Sequence, residues 1–431
     1  MRRRRWPTEV EVNESLALAA AWLKRHQLPG PPTWPVSAGG DEPSLWGGTV
    51  DAVCAIAALR RCDRDLAEPF DELDLGAVRR WAAGQQLKDG SFNAGEFGYA
   101  GAEPTAWALI ALHAISPNSI ERDVKNGLAY LESCIDTRDG SVASTPGGEL
   151  PRTMPSALTL WAFALWRHRD DLRSQIVSYL QRCQDNASAG WGVTSSARPN
   201  PATTAQVLVA FQAARVPVEE FALAVAYLVE QQRENGRWPN SLDEWHTQRS
   251  RNTLQLTNKV VNNGTAWSLL ALAQLRDHRS RTACLRAVNY LIGDQWTTGP
   301  DLVRGSWALS YDGAHRHVWL TGQIVVAIAA WRSALPRQGV QREGMRLRNA
   351  LLTVVDVIVA RASLISMLGV LGAVVALTID STDSGLRDRL VGDGVTFRQS
   401  LLTSGLATAM IGAISWVYRG VRNWQSRRRR E

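Results

Sequence analysis

The sequence predicts an all-α protein: an α/α6 toroid of six helix-pair repeats, followed by a two-helix transmembrane hairpin. Three observations carry this expectation. A phrase recurs with a period of about fifty residues, as in a stacked repeat array. Apolar residues inside each copy fall at helical spacings, as in Leu16/Ala19/Ala20/Leu23 and Leu158/Trp161/Ala162/Leu165. Two long apolar stretches flanked by Arg close the 431-residue chain.

The first copy has Trp22-Leu23, Gln27 and Trp34, then Gly48-Thr49 before an Ala/Leu-rich run. The second has Gln85-Gln86, Gly90-Ser91-Phe92 and Pro104-Thr105-Ala106-Trp107. The third has Tyr130-Leu131, Gly140-Ser141 and Pro155-Ser156-Ala157. The fourth has Tyr179-Leu180, Gln184, Gly190-Trp191 and Thr203-Thr204-Ala205. The fifth, the clearest, has Tyr227-Leu228, Gln231-Gln232, Gly236-Arg237-Trp238 and Gly264-Thr265-Ala266-Trp267. The sixth has Tyr290-Leu291, Gln295-Trp296 and Leu320-Thr321-Gly322. Gly90, Gly140, Gly190 and Gly236 read as equivalent, and the Thr or Ser before each second helix reads as an N-cap. One helix pair cannot bury its apolar face alone, whereas six can. No polar cap ends the array, so a closed ring of six inner and six outer helices is expected.

Five segments follow: a basic tail over 1–13, the toroid over 14–335, a basic linker over 336–350, the hairpin over 351–419 and an Arg-rich tail over 420–431. Arg2 to Arg5 contribute +4 and the C-terminal cluster from Arg419 to Glu431 contributes +5. With a net charge of +7, the rest of the chain carries −2, which argues against nucleic acid as a partner. Arg346, Arg348 and Arg361 at one end and the terminal Arg cluster at the other place both ends of the hairpin inside by the positive-inside rule. The localisation expected is therefore a two-span membrane protein with toroid and C-terminus cytoplasmic, and the lipid bilayer as partner. No apolar region follows the basic Met1–Trp6, so no signal peptide is read. Five Cys, odd in number and without a CxxC, read as reduced thiols.

Parallel inner helices would bring their N-termini to one mouth, where exposed N–H groups favour an anion. The loops feeding that mouth supply the candidates. Asp51, Glu103 and His315 are candidate proton donors, since acid catalysis needs a carboxyl or imidazole shielded from water. Arg152, Arg249, Arg316 and His317 are candidates for an anionic headgroup. Trp107, Trp267 and Trp319 are candidates for an apolar or cationic ligand, because aromatic faces attract cations. The chain holds 18 Trp against 7 Tyr and 7 Phe; most of these Trp sit at repeat positions and read as packing. No cofactor and no metal site is expected, and neither a phosphate-binding Gly loop nor a nucleophile elbow occurs.

The Gln…Gly-x-Trp ends of the first helices, followed by Thr-Ala-x-x-Leu-x-Ala-Leu, resemble the QW repeats of the terpene cyclase and protein prenyltransferase superfamily. The best copies are Gln232/Gly236/Trp238, Gln184/Gly190/Trp191 and Gln85/Gly90/Phe92. The resemblance spans about Glu14 to Trp331 and implies an α/α toroid whose bore holds an isoprenoid chain. The cyclases' Asp-x-Asp-Asp run is absent from these repeats. His315 to Gly322 is similar to the prenyltransferases' zinc-binding His segment, yet Val261 and Asn263 stand where that family keeps Asp and Cys. The function expected is action on, or binding of, an isoprenoid or other lipophilic anion such as a diphosphate in the central cavity. The alternative is a non-catalytic ligand-binding or sensor toroid coupled to the hairpin.

Overall fold

The computed structural model describes residues 7–38, 45–94, 99–148, 151–239, 262–309 and 316–334. The chain divides into two units, Met1–Pro336 and Arg337–Glu431, and every described residue lies in the first. Helices alternate along it. The outer ones are α1 (Glu9–Arg25), α3 (Leu75–Gly84), α5 (Arg122–Ser133), α7 (Asp170–Arg182), α9 (Ala222–Gln231) and α11 (His278–Asp294). The inner ones are α2 (Trp46–Cys62), α4 (Ala102–Ile115), α6 (Thr153–Trp166), α8 (Pro201–Ala213), α10 (Asn263–Leu272) and α12, helical over 318–334. Two short antiparallel ladders, β1 (Phe92–Asn93) with β2 (Ala100–Gly101) and β3 (Ile135–Asp136) with β4 (Ser141–Val142), sit in the connections from outer to inner helices.

The inner helices pack in chain order, α2 on α4, α4 on α6, α6 on α8 and α8 on α10. Asn263 of α10 reaches Gln323 of α12, and Gly322 of α12 lies against the Asp51 backbone of α2, which closes the inner ring. The outer ring closes where α11 meets α1: Gln295 donates to the Ser15 carbonyl and the Trp22 indole donates to the Leu302 carbonyl. Near the C-terminal end of α12, the Arg332 guanidinium spans Asp63, Glu9 and the Cys62 carbonyl.

The repeated residues hold this ring by a repeated set of bonds. The Thr or Ser of each inner helix does not cap it. It lies inside the helix, and in five of the six it accepts from a backbone N–H of the preceding connection; among the described residues the Thr321 hydroxyl makes no such bond. The pairs are Trp34 to Thr49 (2.9 Å), Phe92 to Thr105 (3.0 Å), Val142 to Ser156 (3.3 Å), Trp191 to Thr204 (2.9 Å) and Trp238 to Thr265 (3.1 Å). The side-chain cap of α8 is Asn200 instead, and Thr8, Asp74 and Asp277 cap outer helices. The repeat Trp ties the same connection to its outer helix. The indoles of Trp34, Trp191, Trp238 and Trp307 donate to the carbonyls of Leu23, Leu180, Leu228 and Leu291 at 2.6–2.7 Å. In three copies the Gln bridges to the next outer helix: Gln86, Gln232 and Gln295 donate to the carbonyls of Asp123, Ala283 and Ser15. Each such bond contributes about 1 kcal/mol, and leaving the buried partner unmatched costs more.

Three refinements to the repeat follow. Gln86, not Gln85, makes the bridge. Trp307, not Trp296, is the buried repeat aromatic of the sixth copy, with Gly305 two residues before it. Gly190 is not equivalent to the other glycines. Gly90, Gly140, Gly236 and Gly305 all have φ between 77° and 105°, and a Cβ there would meet a carbonyl of the next outer helix at 2.2–2.5 Å. In the fourth copy the left-handed residue is Ala189, with φ of 59°.

The expectation of a two-span membrane protein is corrected. Among the described residues no helix is long and apolar enough to cross a membrane. The longest whose bounds are given, α1, α2 and α11, have 17 residues each and carry charges, whereas a span needs about 20 apolar residues. The apolar stretches over 351–419 lie outside the described residues.

Candidate functional site in the bore

In α12 the contacts of Gln323 with Asp51 and Asn263 fix the rotation of the helix; in each of the other five inner helices the Thr–connection bond fixes it. Its Thr faces the outer layer, so a residue two positions away, about 200° round the helix, faces the bore. Counting from Thr49, Thr105, Ser156, Thr204, Thr265 and Thr321 therefore sorts the bore into layers. Two residues before these positions stand Gly47, Glu103, Met154, Ala202, Asn263 and Trp319, nearest the N-terminal mouth. Two residues after them stand Asp51, Trp107, Leu158, Gln206, Trp267 and Gln323. Five after them stand Cys54, Ile110, Trp161, Val209, Leu270 and Val326, a wholly apolar set apart from the thiol.

The second layer holds the chemistry. Asp51 is 7% exposed and has no cation as partner among the described residues. Burial pushes its carboxyl up to about 8, against a smaller opposite effect of Gln323, so it is protonated at neutral pH. The Gln323 amide Nε2 lies 3.5 Å from Asp51 Oδ2, and the Asn263 amide donates to Gln323 Oε1 at 2.9 Å. One turn along α2, the Cys54 thiol is also pushed up by burial and by Asp51.

Three indoles meet across the ring. Trp107 of α4, Trp161 of α6 and Trp267 of α10 have ring centroids 5.9–6.1 Å apart, two pairs edge-on and one tilted. Edge-on and tilted contacts of this kind are the arrangements that electron-rich rings prefer. Leu158, Ile110 and Val209 continue the apolar wall.

The mouth layer is mixed. Glu103 opens α4, and burial raises its carboxyl while Arg152 partly offsets this. Arg152 is the half-buried residue preceding α6. His317 pairs with the Ser37 hydroxyl through Nδ1 at 3.0 Å and stands 5.9 Å from the Trp319 ring. The Arg316 guanidinium is stacked on Trp296 at 4.6 Å and is 3% exposed. His315 and Arg249 lie outside the described residues. Among the described residues, no three His, Cys, Asp or Glu side chains converge as a metal would require.

The structure thus brings Asp51, Trp107 and Trp267 into one layer and Glu103 and Trp319 into the layer above it. Trp161, Gln323 and Asn263 are bore residues that motif reading missed. The signal that finds them is the register relative to the repeated Thr, not the residue type.

Residues 151–308 match the family model of the squalene-hopene cyclase C-terminal domain. Among solved structures, the type II terpene cyclase MstE from Scytonema, free of ligand, aligns over 76% of this chain and 100% of its own, with 15% identity and a TM-score of 0.54. In fold the toroid is similar to this cyclase. A variant of MstE in complex with geranylgeranyl dihydroxybenzoate as substrate aligns over 76% and 100%, with 16% identity and a TM-score of 0.53. A protein from Actinoplanes aligns over 74% and 98%, with 17% identity and a TM-score of 0.53. No curated protein matches the chain in sequence. At these identities the likeness is one of fold, and a heparin-specific unsaturated glucuronyl hydrolase shares that fold at a TM-score of 0.52 with 12% identity. The activity of this toroid must be argued from its bore.

Proposed function

We infer that the toroid is an acid-initiated cyclase of a lipophilic isoprenoid, with Asp51 as the proton donor. The observation that carries this reading is a buried, uncharged-partner carboxylic acid set in the same bore layer as Trp107 and Trp267. A carboxyl kept neutral at pH 7 can transfer a proton that an ordinary carboxylate has already lost.

The chemistry balances within one chain of substrate. The Asp51 O–H gives its proton to a terminal alkene, whose π pair becomes the new C–H bond. The adjacent carbon becomes cationic, and the π pair of the next alkene closes a ring on it. Loss of a C–H proton from the last cation to water restores an alkene, and the Asp51 carboxylate regains a proton from solvent, so the product is an isomer of the substrate. Trp107, Trp161 and Trp267 would hold the cationic carbons against their ring faces, each contact contributing about 1–2 kcal/mol when water is excluded. The apolar layer of Ile110, Val209 and Leu270 suits a hydrocarbon chain better than a sugar, which sets this reading above a carbohydrate-active one. Glu103, with Arg152 beside it, stands where a polar headgroup would meet the mouth.

The test is incubation of the full chain with geranylgeranyl dihydroxybenzoate, a polyprenyl diphosphate and squalene, with products separated by chromatography and weighed by mass spectrometry. The expected product has the substrate's mass and a new retention time, and Asp51→Asn abolishes it. Activity should be present below pH 8 and lost as pH rises through that value, because only the protonated Asp51 is competent. Thermal stabilisation by the isoprenoid without any product would instead make the toroid a binding module.

A further inference from the structure

Asp51 does not stand alone in its layer. Gln323 and Asn263 come from the two inner helices that complete the ring, and both carry amides within reach of one another. We propose that Asn263 and Gln323 form an amide relay that fixes which oxygen of Asp51 carries the transferable proton, and that Gln323 is a positioning residue for the acid.

The relay follows from donor and acceptor counts. A Gln side chain ends in one acceptor oxygen and one NH2 donor. The Asn263 Nδ2 donates to Gln323 Oε1 at 2.9 Å, which commits that oxygen and turns the Gln323 NH2 toward Asp51. The NH2 has no lone pair to accept a proton, so Asp51 Oδ2, 3.5 Å away, is an acceptor. In the neutral acid the proton then resides on Oδ1, the oxygen Gln323 does not hold. A carboxyl whose proton alternates between two oxygens offers it to an alkene only part of the time; a committed one is pre-oriented.

The local backbone is built for this contact. A Cβ on Gly322 would lie 2.8 Å from the Asp51 carbonyl carbon and oxygen, so α12 approaches α2 this closely only with glycine there. The next residue, Gln323, is thereby delivered to the carboxyl. The ionisable group facing Asp51 from its own helix is Cys54, whose thiol stays neutral through the same range, while α12 presents the uncharged Gln323.

This inference rests on the cyclase reading for its consequence but not for its test. Two substitutions in the full chain separate the cases. Gln323→Leu removes the donor that favours the carboxylate. Asn263→Leu removes the donor that commits Oε1 without adding a charge, which leaves the Gln323 amide free to turn and present Oε1 to Asp51. The readout is the titration midpoint of the Asp51 carboxyl, followed by carbon NMR without substrate and assigned by its loss in Asp51→Asn. Both variants should move the midpoint up by about one pH unit, the size of one hydrogen bond to the charged form. Asn263→Leu should also lower kcat severalfold with KM unchanged, because the proton is then held toward Gln323 part of the time. Circular dichroism checks that each variant is folded. An unmoved midpoint in two folded variants overturns the relay, whatever the activity. A shifted midpoint without turnover on any isoprenoid leaves the relay standing and removes the cyclase reading instead.

Discussion

Replacing Asp51 by Asn should make the protein more stable, and increasingly so as pH rises. The folded-state carboxyl titrates at about 8 because burial disfavours its charge, whereas an unfolded chain holds an ordinary Asp near 4. The folded state therefore binds this proton more tightly. The stability that the neutral acid contributes is full below the unfolded value and is lost as pH rises to the folded one. Between pH 5 and pH 8 the loss amounts to about 4 kcal/mol for this group alone. Above pH 8 both states are ionised and the loss stops growing. Asn has the same shape and no proton to lose, so Asp51→Asn lacks this slope. Urea unfolding of the full chain and of Asp51→Asn at half-unit pH steps measures the difference, in which the other titrating groups cancel. The expected result is a variant that gains on the wild type by about 4 kcal/mol across that window. Parallel stability curves would refute the reasoning, because they would mean that Asp51 is solvated or paired in the folded state.

Three further substitutions test the ring itself. Gly236→Ala should cost several kcal/mol, since the new Cβ would overlap the Arg286 carbonyl at 2.2 Å and φ is 99°; thermal unfolding reads this out. Ala189→Gly should instead stabilise by about 1 kcal/mol, because Ala189 occupies the left-handed region that glycine enters freely. Gln295→Leu removes the donor to both the Ser15 and Gly305 carbonyls and should cost about 2–3 kcal/mol. Hydrogen exchange should then quicken first in α1, the helix that this bond ties to the end of the array.

The ring was legible because its signal is periodic. A connection that must tie an outer helix, an inner helix and the next outer helix repeats the same bonding groups, so Gln, Gly, Trp and Thr recur in phase. What each does was less legible. Thr before an apolar run is also the signature of an N-cap, and only the contact from Trp34 to Thr49 and its counterparts shows that the hydroxyl serves the connection instead. Trp307 was hidden because it stands twelve positions after Gln295, against six from Gln232 to Trp238. In the bore, Asp51, Glu103, Trp107, Trp267 and Trp319 stand out by residue type. Gln323 and Asn263 do not, since an uncharged amide on a helix looks like any surface residue until its partner is known.

The two kinds of Trp explain how one scaffold keeps its shape while its bore varies. Trp34, Trp191, Trp238 and Trp307 spend their N–H groups on outer-helix carbonyls and their faces on the wall between the layers. Trp107, Trp161 and Trp267 lie on the opposite side of the inner helices and make no such bond among the described residues; they touch one another instead. Because the Thr bond sets helix rotation from the outer side, a change two residues later alters the bore without altering the ring. Asp51, Leu158, Gln206 and Gln323 stand at such positions on α2, α6, α8 and α12, alongside the two Trp of the same layer. One acid among five uncharged side chains is the arrangement in which a carboxyl keeps its proton, since no cation in that layer offsets the cost of ionising it. The chemistry proposed for the bore is thus a property of its second layer, and the fold's part is to hold that layer in register.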